Sequence, residues 1–143
     1  MQKEYVLQFA KELLSIDSPT GYTQQAISFV EQEVQSMGYR TKRTNKGNLL
    51  IYVEGKSHDK TVGLCAHCDT LGLMVRSIKA DGKLALTNLG GPLIPTLDGE
   101  YCCIYTRDGK AYSGTILSTS PAAHVYKDAS SKQRTIDNME VRI

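Results

Sequence analysis

The side chains best suited to chemistry cluster in Cys65-Ala66-His67-Cys68-Asp69-Thr70. On an extended backbone, residues i and i+2 point the same way. His67 and Asp69 therefore share a face, with Cys65 deeper on it. An imidazole can ligate a metal through one ring nitrogen while a carboxylate on the other nitrogen fixes its orientation. The plainer reading of the same pair is a structural histidine, hydrogen-bonded at the end of a strand. Cys65 and Cys68 also match C-x-x-C, but a redox pair or zinc knuckle needs both thiols on one side. On a strand, positions i and i+3 diverge, and the adjacent Cys102 and Cys103 diverge as well. The cysteines read as small buried apolar residues. His58 lies in a polar loop and reads as solvated. His124, within Ser120–Val125, could reach a site from the second half of the chain, or be an ordinary loop histidine.

The elements around these residues follow from periodicity. Val6, Phe9, Ala10, Leu13 and Leu14 recur at helical spacing over residues 3–16. Ser18-Pro19 stops that helix, because the residue before a proline is pushed out of helical geometry. Thr20–Thr23 reads as a turn, with Thr23 as the N-cap of a second helix. Ala26, Ile27, Val30, Val34 and Met37 mark that helix, and Gly38 closes it. Tyr39–Thr44 and Leu49–Val53 read as strands around a turn at Asn45–Asn48. The small and apolar run Thr61–His67 reads as a strand buried on both faces, as in an α/β sheet. Its C-terminal edge, where open α/β sheets bind ligands, would carry His67 and Asp69.

Beyond residue 72 the helical signal stops. Asp81-Gly82 and Asp108-Gly109 mark hairpins between Leu73–Lys79 and Leu84–Leu89, and between Tyr101–Thr106 and Ala111–Leu117. Met139, Val141 and Ile143 alternate with Glu140 and Arg142, a strand with one apolar face that reads as unfinished at Ile143. The expected fold class is α/β over residues 1–72, followed by a small β-rich, barrel-like module over residues 73–143.

Composition narrows the function classes. With 41% apolar and 22% charged residues and a net charge of +2, the chain reads as an ordinary globular protein. No block of like charge points to nucleic acid, and the eight tyrosines are too scattered for a base-stacking platform. No apolar run approaches the roughly 18 residues of a membrane span, and Met1–Tyr5 opens no leader pattern. Four clustered cysteines do not make a disulfide framework. The expectation is a cytoplasmic protein with reduced thiols and no nucleic-acid or membrane partner.

The ordered set Ser18-Pro19-Thr20-Gly21, Met37-Gly38, Gly47-Asn48-Leu49 and His67-x-Asp69-x-x-Gly72-Leu73-Met74-Val75 resembles a known family. Leu89-Gly90-Gly91, Pro95-x-Leu97-x-Gly99, Gly109-Lys110 and Gly114 extend the resemblance through the second half. The family is that of the tetrahedral, deblocking or glutamyl aminopeptidases, dinuclear-metal peptidases also labelled endoglucanases. The resemblance implies the N-terminal part of a zinc-exopeptidase-like sheet with flanking helices, then an inserted β-rich dimerisation domain. It implies a peptide substrate, two divalent ions (zinc or cobalt), and homo-oligomers from dimer to dodecamer. His67 would ligate one ion, and Asp69 would be the catalytic aspartate that orients the imidazole. Cys68 stands where relatives often carry Met, and Thr70 where an acidic residue is common. The family's other ligands and its general-base glutamate follow the inserted domain. The chain is therefore expected to be an N-terminal portion of such an enzyme and inactive alone. The alternative is a stand-alone assembly or binding module. A carbohydrate hydrolase would need two carboxylates about 5–10 Å apart across a sugar site, and no such pair stands out.

Overall fold

The two apolar stripes form helices α1 (Lys3–Leu14) and α2 (Gln24–Ser36). This is a computed structural model, and it describes residues 3–143. Met1 and Gln2, which open the stretch read as lacking a leader, lie outside the described residues. Contacts divide the chain into two compact units, Met1–Thr70 and Leu71–Ile143.

In the first unit, Phe9 of α1 stacks on Phe29 of α2 at 5.2 Å between ring centres, and Tyr5 stacks on Phe9 at 6.2 Å. The Tyr5 hydroxyl donates to Glu33 at 2.6 Å. Thr23 occupies the N-cap of α2, but its side chain makes no capping hydrogen bond. The other end closes as expected. Gly38, at φ +86°, donates to the Gln35 carbonyl at 2.9 Å, and Tyr39 donates to the Val34 carbonyl at 3.1 Å. This double bond over a left-handed residue is the Schellman arrangement, which glycine adopts without Cβ strain. It leads into β1 (Arg40–Arg43), which pairs antiparallel with β2 (Leu49–Tyr52). Arg43 Nε donates to Glu31 of α2 at 2.6 Å, so β1 is tied to the helix.

Thr61–His67 is not a strand, which corrects the reading of a doubly buried one. Val62 is 86% exposed and Leu64 97% exposed. A strand persists by exchanging backbone hydrogen bonds with a neighbour, and among the described residues this run has no strand partner. The α/β sheet of the first unit is accordingly the two-stranded β1–β2 pair.

The second unit is antiparallel. Its strands are β3 (Gly72–Ile78), β4 (Leu84–Leu89), β5 (Tyr101–Tyr105), β6 (Ala111–Ser118) and β7 (Met139–Arg142). Both expected hairpins form, with Gly82 and Gly109 at φ +82°. The sheet order is β3-β4-β7-β6-β5. The expected β-rich module is this curled antiparallel sheet, with β3 and β5 at the ends of its strand order. Leu84, Leu86, Ile94, Ile116, Met139 and Val141 form its buried core, with Ile104 and Leu97 packed against them. Gly114 permits the close approach of β6 to β7. A Cβ there would lie 2.7 Å from Val141 Cγ1 and 2.8 Å from the Arg142 carbonyl.

The alternation in β7 holds for buried Met139 and Val141 and for exposed Arg142, but not for Glu140. Glu140 is only 4% exposed. A central strand has a neighbour on each side, and here two lysines roof its second face. Lys79 Nζ meets Glu140 Oε2 at 2.7 Å, and Lys83 Nζ meets Oε1 at 2.9 Å. Burial pushes the Glu140 carboxyl up, but the two ammonium groups overcome it and hold the carboxyl below its ordinary range. A further Asp-Gly pair, Asp98-Gly99, serves as a tie. Asp98 accepts from the Ser118 N–H at 2.9 Å and from Arg134 Nε at 2.9 Å, anchoring the long loop between β6 and β7.

Candidate functional site

The candidate site lies in the first unit, where two stretches of chain run side by side. After α1, Pro19–Tyr22 makes a tight turn in which the Tyr22 N–H reaches the Pro19 carbonyl at 2.7 Å. Gly21, at φ +92°, takes the third position, where such a turn requires a left-handed residue. Pro19 and Thr70 form a parallel bridge. The Thr70 N–H donates to the Ser18 carbonyl at 2.9 Å, and the Thr20 N–H to the Thr70 carbonyl at 3.3 Å. Ser18, only 2% exposed, adds a bond from its hydroxyl to the Cys68 carbonyl at 2.9 Å. These contacts clip residues 18–20 to residues 68–70.

The clip carries both predicted site residues. His67 Nδ1 lies 3.1 Å from Asp69 Oδ1 and 3.3 Å from the Asp69 backbone carbonyl. The other carboxylate oxygen, Oδ2, accepts the Thr20 hydroxyl at 2.7 Å. The Thr20 hydrogen bond, and after it the bond to His67, hold the Asp69 carboxyl below its ordinary range, so it faces the ring as a carboxylate at neutral pH. With acceptors on both sides of Nδ1, the neutral ring carries its proton there and leaves the Nε2 lone pair free. The His67 side chain is 83% exposed and that of Asp69 36%.

This donor set suits one position of a metal centre, a neutral imidazole oriented by a carboxylate. Among the described residues, no group of three or more His, Cys, Asp or Glu side chains is placed to hold a metal ion. All four cysteines are free thiols. Cys65 and Cys103 are exposed and Cys68 half-buried, so the reading of buried small residues fails for Cys103 and for Cys65, whose run has no sheet to cover it. Cys102 is half-buried against the second unit's core, where burial and then the neighbouring Cys103 push its thiol up, while Cys103 is exposed. His58 is exposed in the loop after β2, and His124 is exposed on a turn of the second unit.

Ser18 and Thr20 are the residues that sequence reasoning missed. They entered it as punctuation at the end of a helix. The trace of their role in the sequence was the place of Ser18-Pro19-Thr20-Gly21 ahead of His67-x-Asp69 in the ordered set that carries the resemblance.

Residues 47–143 match the M42 glutamyl aminopeptidase family model. YhfE of Bacillus subtilis is 43% identical over 137 residues, covering 96% of this chain and 40% of that protein. The glutamyl aminopeptidase of Lactococcus lactis is 29% identical over 103 residues, covering 70% of this chain and 28% of that protein. The chain thus spans at most about 40% of the length of these curated relatives. Among solved structures, a TET aminopeptidase from a marine-sediment thaumarchaeon superposes with a TM-score of 0.84 at 19% identity, over 100% of this chain and 39% of that one. The TET1 peptidase of Pyrococcus horikoshii, described as assembling into a tetrahedron or a large octahedral shell, gives 0.79 at 24% identity, over 96% and 40%. Those two likenesses concern the fold. Taken with the family match, which runs from the turn before β2 through the His67–Asp69 pair to β7, they place this chain in the M42 glutamyl aminopeptidase family.

Proposed function

We propose that the chain is the His67- and Asp69-bearing portion of a metal-dependent aminopeptidase that removes N-terminal residues from peptides. The observation that carries this reading is the His67–Asp69 contact of 3.1 Å, buttressed by Thr20. His67 would offer Nε2 to one of two divalent ions, zinc or cobalt, and Asp69 would hold the ring in its Nδ1–H form. Such a pair of ions would supply Lewis acidity, activating a water and polarising the scissile carbonyl. Residues 1–72 would belong to the catalytic domain, and residues 73–143 to an inserted domain through which subunits pair into a homo-oligomer. The expected setting is the cytoplasm.

One ligand and one helper do not make a dinuclear centre, so the 143-residue chain alone should not turn over aminoacyl-anilides with added Zn²⁺ or Co²⁺. Turnover by the chain alone would contradict that. The positive test is a chimera in which this chain replaces the matching part of YhfE. Hydrolysis of aminoacyl-anilides should fall about 10–100-fold with Asp69→Asn, the range for losing a ligand's orienting partner, and vanish with His67→Ala. Hydrolysis indifferent to both changes would overturn the assignment.

A stand-alone assembly module is the second reading. It is favoured by the second unit's own buried core, whereas Ala26 is the buried hydrophobic of the first among the described residues. A chimera that associates normally but never hydrolyses would support it.

A further inference from the structure

We propose that the Thr20 hydroxyl is the positioning group of this site. By holding Asp69 Oδ2 it presents Oδ1 to His67 and so sets which imidazole nitrogen is open to a metal. The inference rests on the proposed metal-ligand role of His67 for its purpose, but not for its geometry.

A carboxylate rotates about a broad, two-fold torsion, so nothing intrinsic assigns its two oxygens. Here they are assigned. Oδ2 takes the Thr20 hydroxyl at 2.7 Å, and Oδ1 faces His67 Nδ1 at 3.1 Å. A threonine hydroxyl has one proton to give, and Thr20 spends it on Asp69. The donor is itself immobilised. Its N–H bonds to the Thr70 carbonyl at 3.3 Å, its turn is closed by the Tyr22–Pro19 bond at 2.7 Å, and Ser18 ties the same stretch to Cys68 at 2.9 Å. Thr20 and Asp69 are thus mounted on opposite sides of one clip, 49 residues apart in sequence.

The consequence falls on the ring. A free neutral imidazole side chain in water favours the proton on Nε2, which would block the outer nitrogen. At His67, the Asp69 carboxylate and backbone carbonyl both demand the proton on Nδ1. The Asp69 side chain is 36% exposed, so without Thr20 its oxygens turn toward water and the demand weakens. Valine keeps the shape of threonine but has no proton to donate, so Thr20→Val isolates the bond.

The test is nitrogen NMR of the metal-free 143-residue chain at about pH 8.5, above the ordinary imidazole range near 6.5. The chain has three histidines, and loss of one signal in His67→Gln assigns His67. In the wild type, the unprotonated nitrogen of His67 should be Nε2. Thr20→Val should lower the ratio of Nδ1–H to Nε2–H forms about three- to tenfold, as for a charge-assisted hydrogen bond partly replaced by water. Thr20→Ser should restore it. Ser18→Ala, which weakens the clip without touching the Asp69 side chain, should lower the urea midpoint and leave the ratio unchanged. A wild-type ratio in Thr20→Val, or no restoration by Thr20→Ser, would overturn the proposal. So would equal shifts in Thr20→Val and Ser18→Ala. Should Thr20→Val not fold, Thr20→Ala takes its place, because it too removes the hydroxyl, and a wild-type ratio in Thr20→Ala would overturn the proposal. No metal or substrate enters the measurement, so its failure and that of the aminopeptidase reading are told apart.

Discussion

At the scale of single residues, the site is defined by what His67 and Asp69 share and by what surrounds them. One imidazole beside one carboxylate holds zinc weakly, since three or four protein ligands are usual. Calorimetry of the 143-residue chain with Zn²⁺ should show no tight stoichiometric binding, and a one-to-one isotherm at micromolar concentrations would count against the site as drawn. The His67–Asp69 contact was legible because it is local, two positions apart on one strip of backbone. The Thr20 contact was not, because nothing near residue 69 announces a hydroxyl brought from residue 20. Gly114 shows the same limit in the second unit. Its need for a bare Cα comes from Val141 and Arg142, which pair with its strand from far along the chain. Gly114→Ala should cost about 1–3 kcal/mol through overpacking, read as a lower urea midpoint.

At the scale of elements, the turns and hairpins followed from short-range chemistry. Gly38, Gly82 and Gly109 all take the positive φ that their positions demand, and each was placed from its neighbours alone. Thr61–His67 failed because apolar composition states that a segment wants neighbours without supplying them. Glu140 failed for the converse reason. Alternation put it on a wet face, but its counter-ions are Lys79 and Lys83 at the β3–β4 turn. That cluster predicts a pH dependence. A carboxyl held below its ordinary value contributes stability that is complete above its unfolded value, near 4.5, and is lost as pH falls through the folded value. Lys83 is pushed up, chiefly by Glu140 and then by Asp81, so its contribution is complete below the ordinary lysine range and fades only as pH rises above that range. Urea midpoints of the wild type should therefore be flat near neutrality and fall below about pH 4.5. Glu140→Gln should lose about 1–3 kcal/mol at neutral pH, the range for disturbing a buried charged hydrogen bond, and show a shallower acid decline. An unchanged acid slope in Glu140→Gln would remove Glu140 as its cause.

At the scale of the whole molecule, the two units differ in how well they cover themselves. The second buries a continuous cluster, while the first leaves Val53, Val62 and Leu64 largely in water. Large apolar side chains left exposed in this way promote association. Light scattering should show growth of large species with concentration, and Val62→Lys with Leu64→Lys should suppress it at little cost to the urea midpoint. Equal scattering by the double variant would exclude this segment as the adhesive. The placement of β7 has a consequence for timing. The strand at the middle of the second sheet is the last of the five to leave the ribosome. Until residues 139–142 emerge, β3–β4 and β5–β6 are two separate ribbons, each marginal in water by itself. The sheet is therefore complete only once a short central strand is available to both ribbons, and translation has passed almost the whole segment by then.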